Sequence, residues 1–353
     1  FLIITLINVQ RQISYAKNMD LGFDEEKILV ITNFTNNMYS QFDAIRNELS
    51  EIPGVSQITA SSGYPGNINE HNFMRKSEDA PTVLVKRNNV KKNYLETLGL
   101  TLKEGRYFSS ESRGDSSSIV LNEKAVEAFG LEDPLNSEIL LHERKFRVIG
   151  VLKDYYVESI HEEIMPVAHV IFHPDFYHFM LRIEGQDISA ALAAVSEKLQ
   201  AFDSEYTFSY RFLNDYFNRM YKEEERINQI SMYSAGLAIF IAILGLYALT
   251  SFIVQLRKRE IGIRKSLGSS VAEVVLQLAK DINKWILMAN ILAWPAAYYF
   301  INEWLKNFAY QTKISVFSFI LGSLIAFLFA MLVVGVRSYR AALVNPAEVL
   351  RDE

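Results

Sequence analysis

The sequence of 353 residues contains no cysteine. Disulfides, thiolate metal sites and cysteine nucleophiles are therefore excluded, and nothing in the thiol content marks a redox compartment. The usual catalytic signatures are missing as well. No G-x-x-x-x-G-K-[ST] occurs, and Gly262 to Gly268 has neither its spacing nor its lysine, so ATP hydrolysis at a P-loop is excluded. G-x-G-x-x-G and G-x-S-x-G are also missing, and HEEIM (161–165) has Met165 where a zinc-protease motif needs its second histidine. Charge is missing too, in three long runs. Ile227 to Leu256, Trp285 to Asn302 and Ile314 to Val336 hold no Asp, Glu, Lys or Arg.

A bilayer core needs about 20 apolar residues in helix. The first and third runs meet this comfortably, whereas the second is shorter and carries Asn290 and Pro295, a point where the span would kink. Spans are expected at about 229–256, 284–302 and 315–336. The opening FLIITLI cannot cross a bilayer, and it lacks the basic n-region and small-residue cleavage site of a signal peptide. It reads as the last two turns of a membrane helix that begins before residue 1.

Basic residues near helix ends mark the cytoplasmic side. Arg257, Lys258 and Arg259, with Arg264 and Lys265, follow the first full span, and Arg337 and Arg340 follow the last. Three alternating spans put both clusters on one side. The loop 257–283 and the C-terminus are then cytoplasmic, and residues 17–226 form an external domain.

In that domain KILVITNF (27–34) reads as a strand, Phe42, Ile45 and Leu49 as one helix face, and VSQITAS as a strand after Pro53-Gly54. The pattern recurs with FMLRIE (179–184), a helix bearing Ile188, Leu192, Val195 and Leu199, and YTFSYRFL (206–213). Two such units predict a split β-α-β, ferredoxin-like layer. A β-rich insertion at about 65–168 would separate them, with strands in TVLVKR, SSIVLNE and KFRVIGVL and a helix at 122–129. His169, His173 and His178 lie close together with Asp175, but Pro174 breaks any helical spacing. They read as surface or strand-edge histidines rather than metal ligands. Glu223, Glu224 and Glu225 read as a solvated helix end. The expected fold class is thus an α-helical membrane domain plus an α+β extracytoplasmic domain.

Between the first two spans runs RKREIGIRKSLGSS (257–270). Ser270 and Glu273 match a capping box, and Val271, Val274, Val275 and Leu278 then form an apolar stripe. Gly262 and Gly268 bracket what reads as a compact turn between helices. EIGIRKSLGSS resembles the cytoplasmic loop of MacB/FtsX-type ABC transporter permeases, departing from their E-I-G-[IL]-[RK]-[RK]-x-[LM]-G-A pattern only at Ser269. NMDLGFDEEKILVI, EGRYFSSE, VLNEKAVEAFG, KDYYVESIHEEIMP, FLNDYFNRMYKEEER and the terminal NPAEVLRDE resemble further family stretches in the same order.

The resemblance implies a four-span permease unit of a bacterial inner-membrane protein, probed from outside by a MacB-like core domain between spans one and two. A separate cytoplasmic ABC ATPase would dock on Glu260, Ile261, Gly262, Ile263, Arg264, Lys265, Leu267 and Gly268. Ile261, Ile263 and Leu267 would fill its groove, and Glu260, Arg264 and Lys265 would make polar contacts. The permease would turn nucleotide-driven motion into export or mechanotransmission, without catalytic residues or cofactors of its own. Further implied partners are a second permease unit (a homologous half or a second copy), an extracytoplasmic adaptor and membrane lipid, but no nucleic acid. The alternative from another class is a non-transporting transmitter that regulates a cell-wall enzyme or reports on a ligand.

Overall fold

The computed structural model describes all residues except 33, 110–114, 159–161, 172–175, 186, 221, 268 and 343–353; of some helix residues, among them 223–225, 258, 262, 265, 271, 274, 275, 278 and 340, it describes the backbone alone. The chain forms two compact units. One is helical and comprises 1–18 and 223–353, and the other comprises 19–222.

Helix α1 (Leu2–Lys17) continues well past Asn8, where the sequence turns polar. The unit 19–222 then begins. In chain order it contains β1 (Ile28–Ile31), α2 (Asn36–Ser40), α3 (Phe42–Ser50), β2 (Val55–Ser61), β3 (His71–Arg75), β4 (Val83–Asn89), α4 (Tyr94–Leu98), β5 (Leu102–Gly105), β6 (Ser118–Asn122), α5 (Glu123–Phe129), β7 (Glu138–Leu141), β8 (Arg144–Leu152), β9 (Val167–Val170), β10 (His178–Ile183), α6 (Ile188–Phe202), β11 (Tyr210–Phe212) and α7 (Leu213–Met220). Short polar side chains start several helices by accepting an otherwise unpaired backbone N–H. Asn122 accepts from Ala125 at 3.0 Å to begin α5, and Asp187 from Ala190 at 2.9 Å to begin α6.

One sheet has the order β11-β1-β10-β2, antiparallel at every step. Two β-α-β stretches are interleaved in it, with α3 and α6 covering one face. Phe42, Ile45 and Leu49 of α3 and Ala191, Val195 and Leu199 of α6 pack on Leu29, Ile31, Ile58, Phe179, Leu181 and Ile183. Alternate strand residues form that core because successive side chains point to opposite faces. The strand expected across 206–213 is shorter, because only Tyr210–Phe212 pair with β1.

The second sheet closes on itself. Its order is β5-β8-β6-β9-β4-β3-β7, and β7 pairs again with β8. A barrel results, with β5 added beside the far end of β8 at Leu152 and Gly150. Phe146, Val148, Ile119, Leu121, Val85 and Met74 fill it, and Ala125 and Phe129 of α5 join the same core. Gly105 ends β5 at φ +75°, where an added Cβ would lie 2.4 Å from the Ile149 carbonyl oxygen, so no larger residue fits there.

The helical unit resumes with α8 (Lys222–Leu256), α9 (Lys258–Ser266), α10 (Val271–Leu305) and α11 (Val316–Ala342). Residues 223–225 lie in the first turn of α8. Among the described residues two helices are long and apolar enough to cross a membrane, at Arg226–Leu256 and Val316–Arg337. The uncharged run of α10 falls short in hydropathy, since Asn290, Pro295, Tyr298 and Tyr299 dilute it. Pro295 nonetheless lies inside one continuous helix.

Candidate functional site

The strip expected as a compact turn is helical. Lys258–Ser266 forms α9, with Gly262 in its interior. Straight-chain residues favour helix, and a single glycine costs only about 1 kcal/mol against that. Glu260 and Arg264 add an i,i+4 ion pair at 2.7 Å on the helix surface. Gly262 therefore does not mark a bend. The helix ends where the Ser269 N–H reaches back to the Arg264 carbonyl at 3.0 Å. Gly268 itself lies outside the described residues.

The three apolar residues of the strip divide. Ile261 is 8% exposed and packs on Ile253 and Val254 of α8, so it holds α9 to the preceding helix. Ile263 is 44% exposed and Leu267 81%. Of the three residues expected to fill an ATPase groove, only Ile263 and Leu267 are exposed. Arg259 is exposed and Arg257 is half-buried, and Lys258 and Lys265 lie within α9. Beyond the strip, Ser270 and Glu273 form the capping box that their spacing predicts. The Glu273 N–H donates to Ser270 Oγ at 3.2 Å, and the Ser270 N–H to Glu273 Oε2 at 3.0 Å.

Arg337, expected only as a topology anchor, has a structural partner. Its Nε donates to Ser251 Oγ at 2.7 Å, and its guanidinium lies 4.8 Å from the centre of the Tyr247 ring. It ties the C-terminal part of α11 to α8 shortly before Ile253. The pair is 86 residues apart in sequence, so no local spacing announced it.

The histidines also need revision. His169 is fully buried in β9, not at a surface, and both ring nitrogens are taken. Tyr107 reaches Nδ1 and Tyr155 reaches Nε2, each at 2.7 Å. One hydroxyl donates and the other accepts from the ring N–H, leaving no lone pair for a metal. Burial pushes its pKa down to about 3. His178, at the start of β10, faces the Tyr64 ring edge-on, and burial lowers its pKa to about 4. His173 and Asp175 lie outside the described residues.

Four stretches singled out for their family resemblance converge here. Asp154 of KDYY accepts from Asn122 and from the Lys124 N–H, both at 2.8 Å. The Tyr156 N–H donates to the Leu21 carbonyl at 2.9 Å, and Tyr107 of EGRYF meets His169.

Comparison with known proteins agrees with this organisation. The family model for the MacB-like periplasmic core domain matches residues 6–200, and that for the FtsX-like permease C-terminal matches residues 232–346. The chain belongs to the MacB/FtsX-type ABC transporter permeases. It is 23% identical over 321 residues to the uncharacterized ABC transporter permease YknZ of Bacillus subtilis, covering 86% of this chain and 77% of that one. It is 22% identical over 329 residues to the macrolide export ATP-binding/permease protein MacB of Bdellovibrio bacteriovorus, covering 88% of this chain and 49% of that protein. Among solved structures it is similar to the periplasmic region of MacB from Actinobacillus actinomycetemcomitans, with a TM-score of 0.42 and 16% identity over 56% of this chain and 94% of that one. The extracellular domain of YknZ from Gram-positive bacteria gives a TM-score of 0.39 and 18% identity over 52% and 97%.

Proposed function

We propose that this permease couples a separate cytoplasmic ABC ATPase to motion of an extracytoplasmic unit, and that α9 is where the ATPase docks. In this reading α8, α10 and α11 cross the bacterial cytoplasmic membrane and α1 contributes the outer end of a further span, with unit 19–222 outside as a ferredoxin-like layer carrying a barrel. A second permease unit would complete the pathway. The permease itself hydrolyses nothing, and it transmits motion for export or mechanotransmission.

The observation that carries the proposal is Leu267. Leu267 is 81% exposed and Ile263 44%, and at i,i+4 spacing the two place adjoining apolar side chains on the surface of a basic strip, where a contiguous apolar patch marks a contact site. An apolar groove on a partner fits both. Ile261 fixes α9 against α8, so force on Leu267 and Ile263 passes directly into a membrane helix. The Bdellovibrio relative is described as an ATP-binding/permease protein, which supports a working partnership between an ATPase and the permease part that this chain matches.

The test is affinity purification of the tagged chain from native membranes, reading co-purifying ATP hydrolysis. Leu267→Asp places an unpaired charge in an apolar contact and is expected to abolish that activity at unchanged membrane levels. Gly262→Ala leaves the exposed pair intact and should retain it. Undiminished ATPase capture by Leu267→Asp would overturn the assignment of α9.

A further inference from the structure

The four long helices of the helical unit are not packed alike. α1, α10 and α11 form one tightly joined body. Ile4 of α1 sits with Ala297, Ile301 and Leu305 of α10 and Phe319 of α11. Gly322 allows the backbones to close up, because an added Cβ there would lie 2.6 Å from Ile4 Cγ1. Two buried amides on successive turns of α1 then latch it. Asn8 Nδ2 donates to Ser318 Oγ of α11 at 2.9 Å. Gln12 bridges the α10–α11 connection, donating to the Tyr310 carbonyl at 2.9 Å and accepting the Thr312 N–H at 2.8 Å. Both side chains are buried, so each bond is made where water cannot replace it.

α8 is joined far more loosely. Only 6% of its apolar window is buried, against 28% for α11. Against α1 it offers the exposed pair Asn228–Gln10, 2.9 Å apart, and an apolar gap of about 260 Å³ lined by Phe1, Leu2, Ile3, Ala238, Ile239 and Ala242. Its close attachment to the other helices is the Arg337 contact with Ser251 and Tyr247, beside a small cluster in which Leu246 meets Val334 and Met331 of α11 and Ile286 of α10. α9, through Ile261, rides on α8.

We infer that the helical unit works as two levers: α1 with the α10–α11 hairpin as one rigid body, and α8 with α9 as the other, pivoting at Arg337. Interfaces secured by several buried bonds move as blocks, and loosely packed ones slide or hinge. The two levers enter unit 19–222 at different places. α1 leads into Leu21, which is held by the Tyr156 N–H of the barrel side, whereas α8 follows α7 and the edge strand β11. A push on α9 would thus displace one attachment relative to the other. This inference rests on the ATPase-docking proposal.

The natural absence of cysteine makes the test clean. Spin labels are placed pairwise on exposed sites in the full chain, purified with its ATPase in lipid vesicles. Tyr15→Cys with Val316→Cys reports α1 against α11, and Tyr15→Cys with Ile227→Cys reports α1 against α8. Between ADP and a non-hydrolysable ATP analogue, the first distance should stay fixed and the second should shift. A shift in the first pair would overturn the two-lever arrangement while leaving ATPase coupling intact. Two unchanging pairs in a complex that hydrolyses ATP would overturn the levers, whereas failure of any ATPase to co-purify would remove the docking proposal beneath them. As a second measurement, a Gln10→Cys/Asn228→Cys disulfide should abolish nucleotide-stimulated activity, and reduction should restore it; full activity with that bond formed overturns the inference.

Discussion

The two units sort their residues in opposite ways. In unit 19–222 Leu29, Ile31, Phe146, Phe179 and Leu181 are fully buried, buried polar groups such as Asn88, Asp115 and His169 are hydrogen-bonded, and large apolar side chains are mostly inside. In the helical unit Leu292, Ile291, Leu287, Trp285 and Phe252 face outward, while Asn8, Gln12, Thr250 and Ser318 are buried between or within helices. The first arrangement is what water selects, since apolar surface gains by leaving it. In hydrocarbon there is no such gain between helices, and small or polar residues hold the interfaces instead. The difference teaches that one chain answers to two solvents, with the change near residues 18 and 222.

The largest expected effect tests whether unit 19–222 is self-sufficient. Residues 19–222 expressed alone should give a soluble protein that melts cooperatively, because both cores are complete within those limits. Residues 19–150 should not fold. That piece lacks β9, β10 and β11, which removes a stave of the barrel and two strands of the other sheet. A cooperative melt of 19–150 would break the comparison at its root.

Next comes a pair of truncations that should behave oppositely. Phe179→Ala opens a hole at the centre of the four-stranded layer and should destabilise unit 19–222 by about 3–5 kcal/mol, read as a lower denaturation midpoint. Leu292→Ala removes a similar amount of apolar surface from an exposed face of α10 and should change stability in lipid by less than about 0.5 kcal/mol. Equal losses would mean that α10 is covered by protein rather than lipid.

Much of this was legible in the sequence, for identifiable reasons. Phe42, Ile45 and Leu49 recur at helical spacing and alternating strand residues flank them, so the four-stranded layer was readable from periodicity. Ser270 and Glu273 were readable from three-residue spacing. The barrel's closure was not, because β3 (HNFMR) and β7 (EILL) are short and β3 is polar, and pairing between distant strands leaves no local trace. Asn8 and Gln12 looked like a helix leaving the membrane, although their partners lie some 300 residues away. α9 was misread as a turn because Gly262 outweighed the helix formers around it.

Acid should separate the units by a moderate amount. Burial holds His169 at about 3 and His178 at about 4 in the folded chain, below an ordinary value of 6.5. The unfolded chain therefore binds protons first as pH falls. Their contribution is fully present above about pH 6.5 and is lost progressively as pH drops towards 4 and then 3. Melting of residues 19–222 across that range should show a falling midpoint. His178→Phe should flatten part of the fall, since that ring keeps its edge-on contact with Tyr64 and its Nδ1 has no hydrogen-bond partner. An unchanged slope in His178→Phe would remove His178 from the account.

The smallest effect decides the nature of α9, and it contrasts two glycines. Gly105, at φ +75° against the Ile149 carbonyl, has no room for a side chain, so Gly105→Ala should weaken the barrel. Gly262 sits inside a helix, where glycine is a liability, because its backbone loses more freedom on ordering than that of alanine. Gly262→Ala should therefore stabilise α9 by about 1 kcal/mol. It adds one methyl group and keeps the identities of Glu260 and Arg264, which pair, and of Ile261, which packs on Ile253 and Val254. Hydrogen exchange of the full chain in lipid is the suitable measurement, because protection of the 258–266 amides reads local helix opening directly. Slower exchange there, with ATPase capture retained, is the expected outcome. Faster exchange would mean that the strip is a turn that needs its glycine, and α9 would then no longer belong with the helices that the comparison sets against unit 19–222.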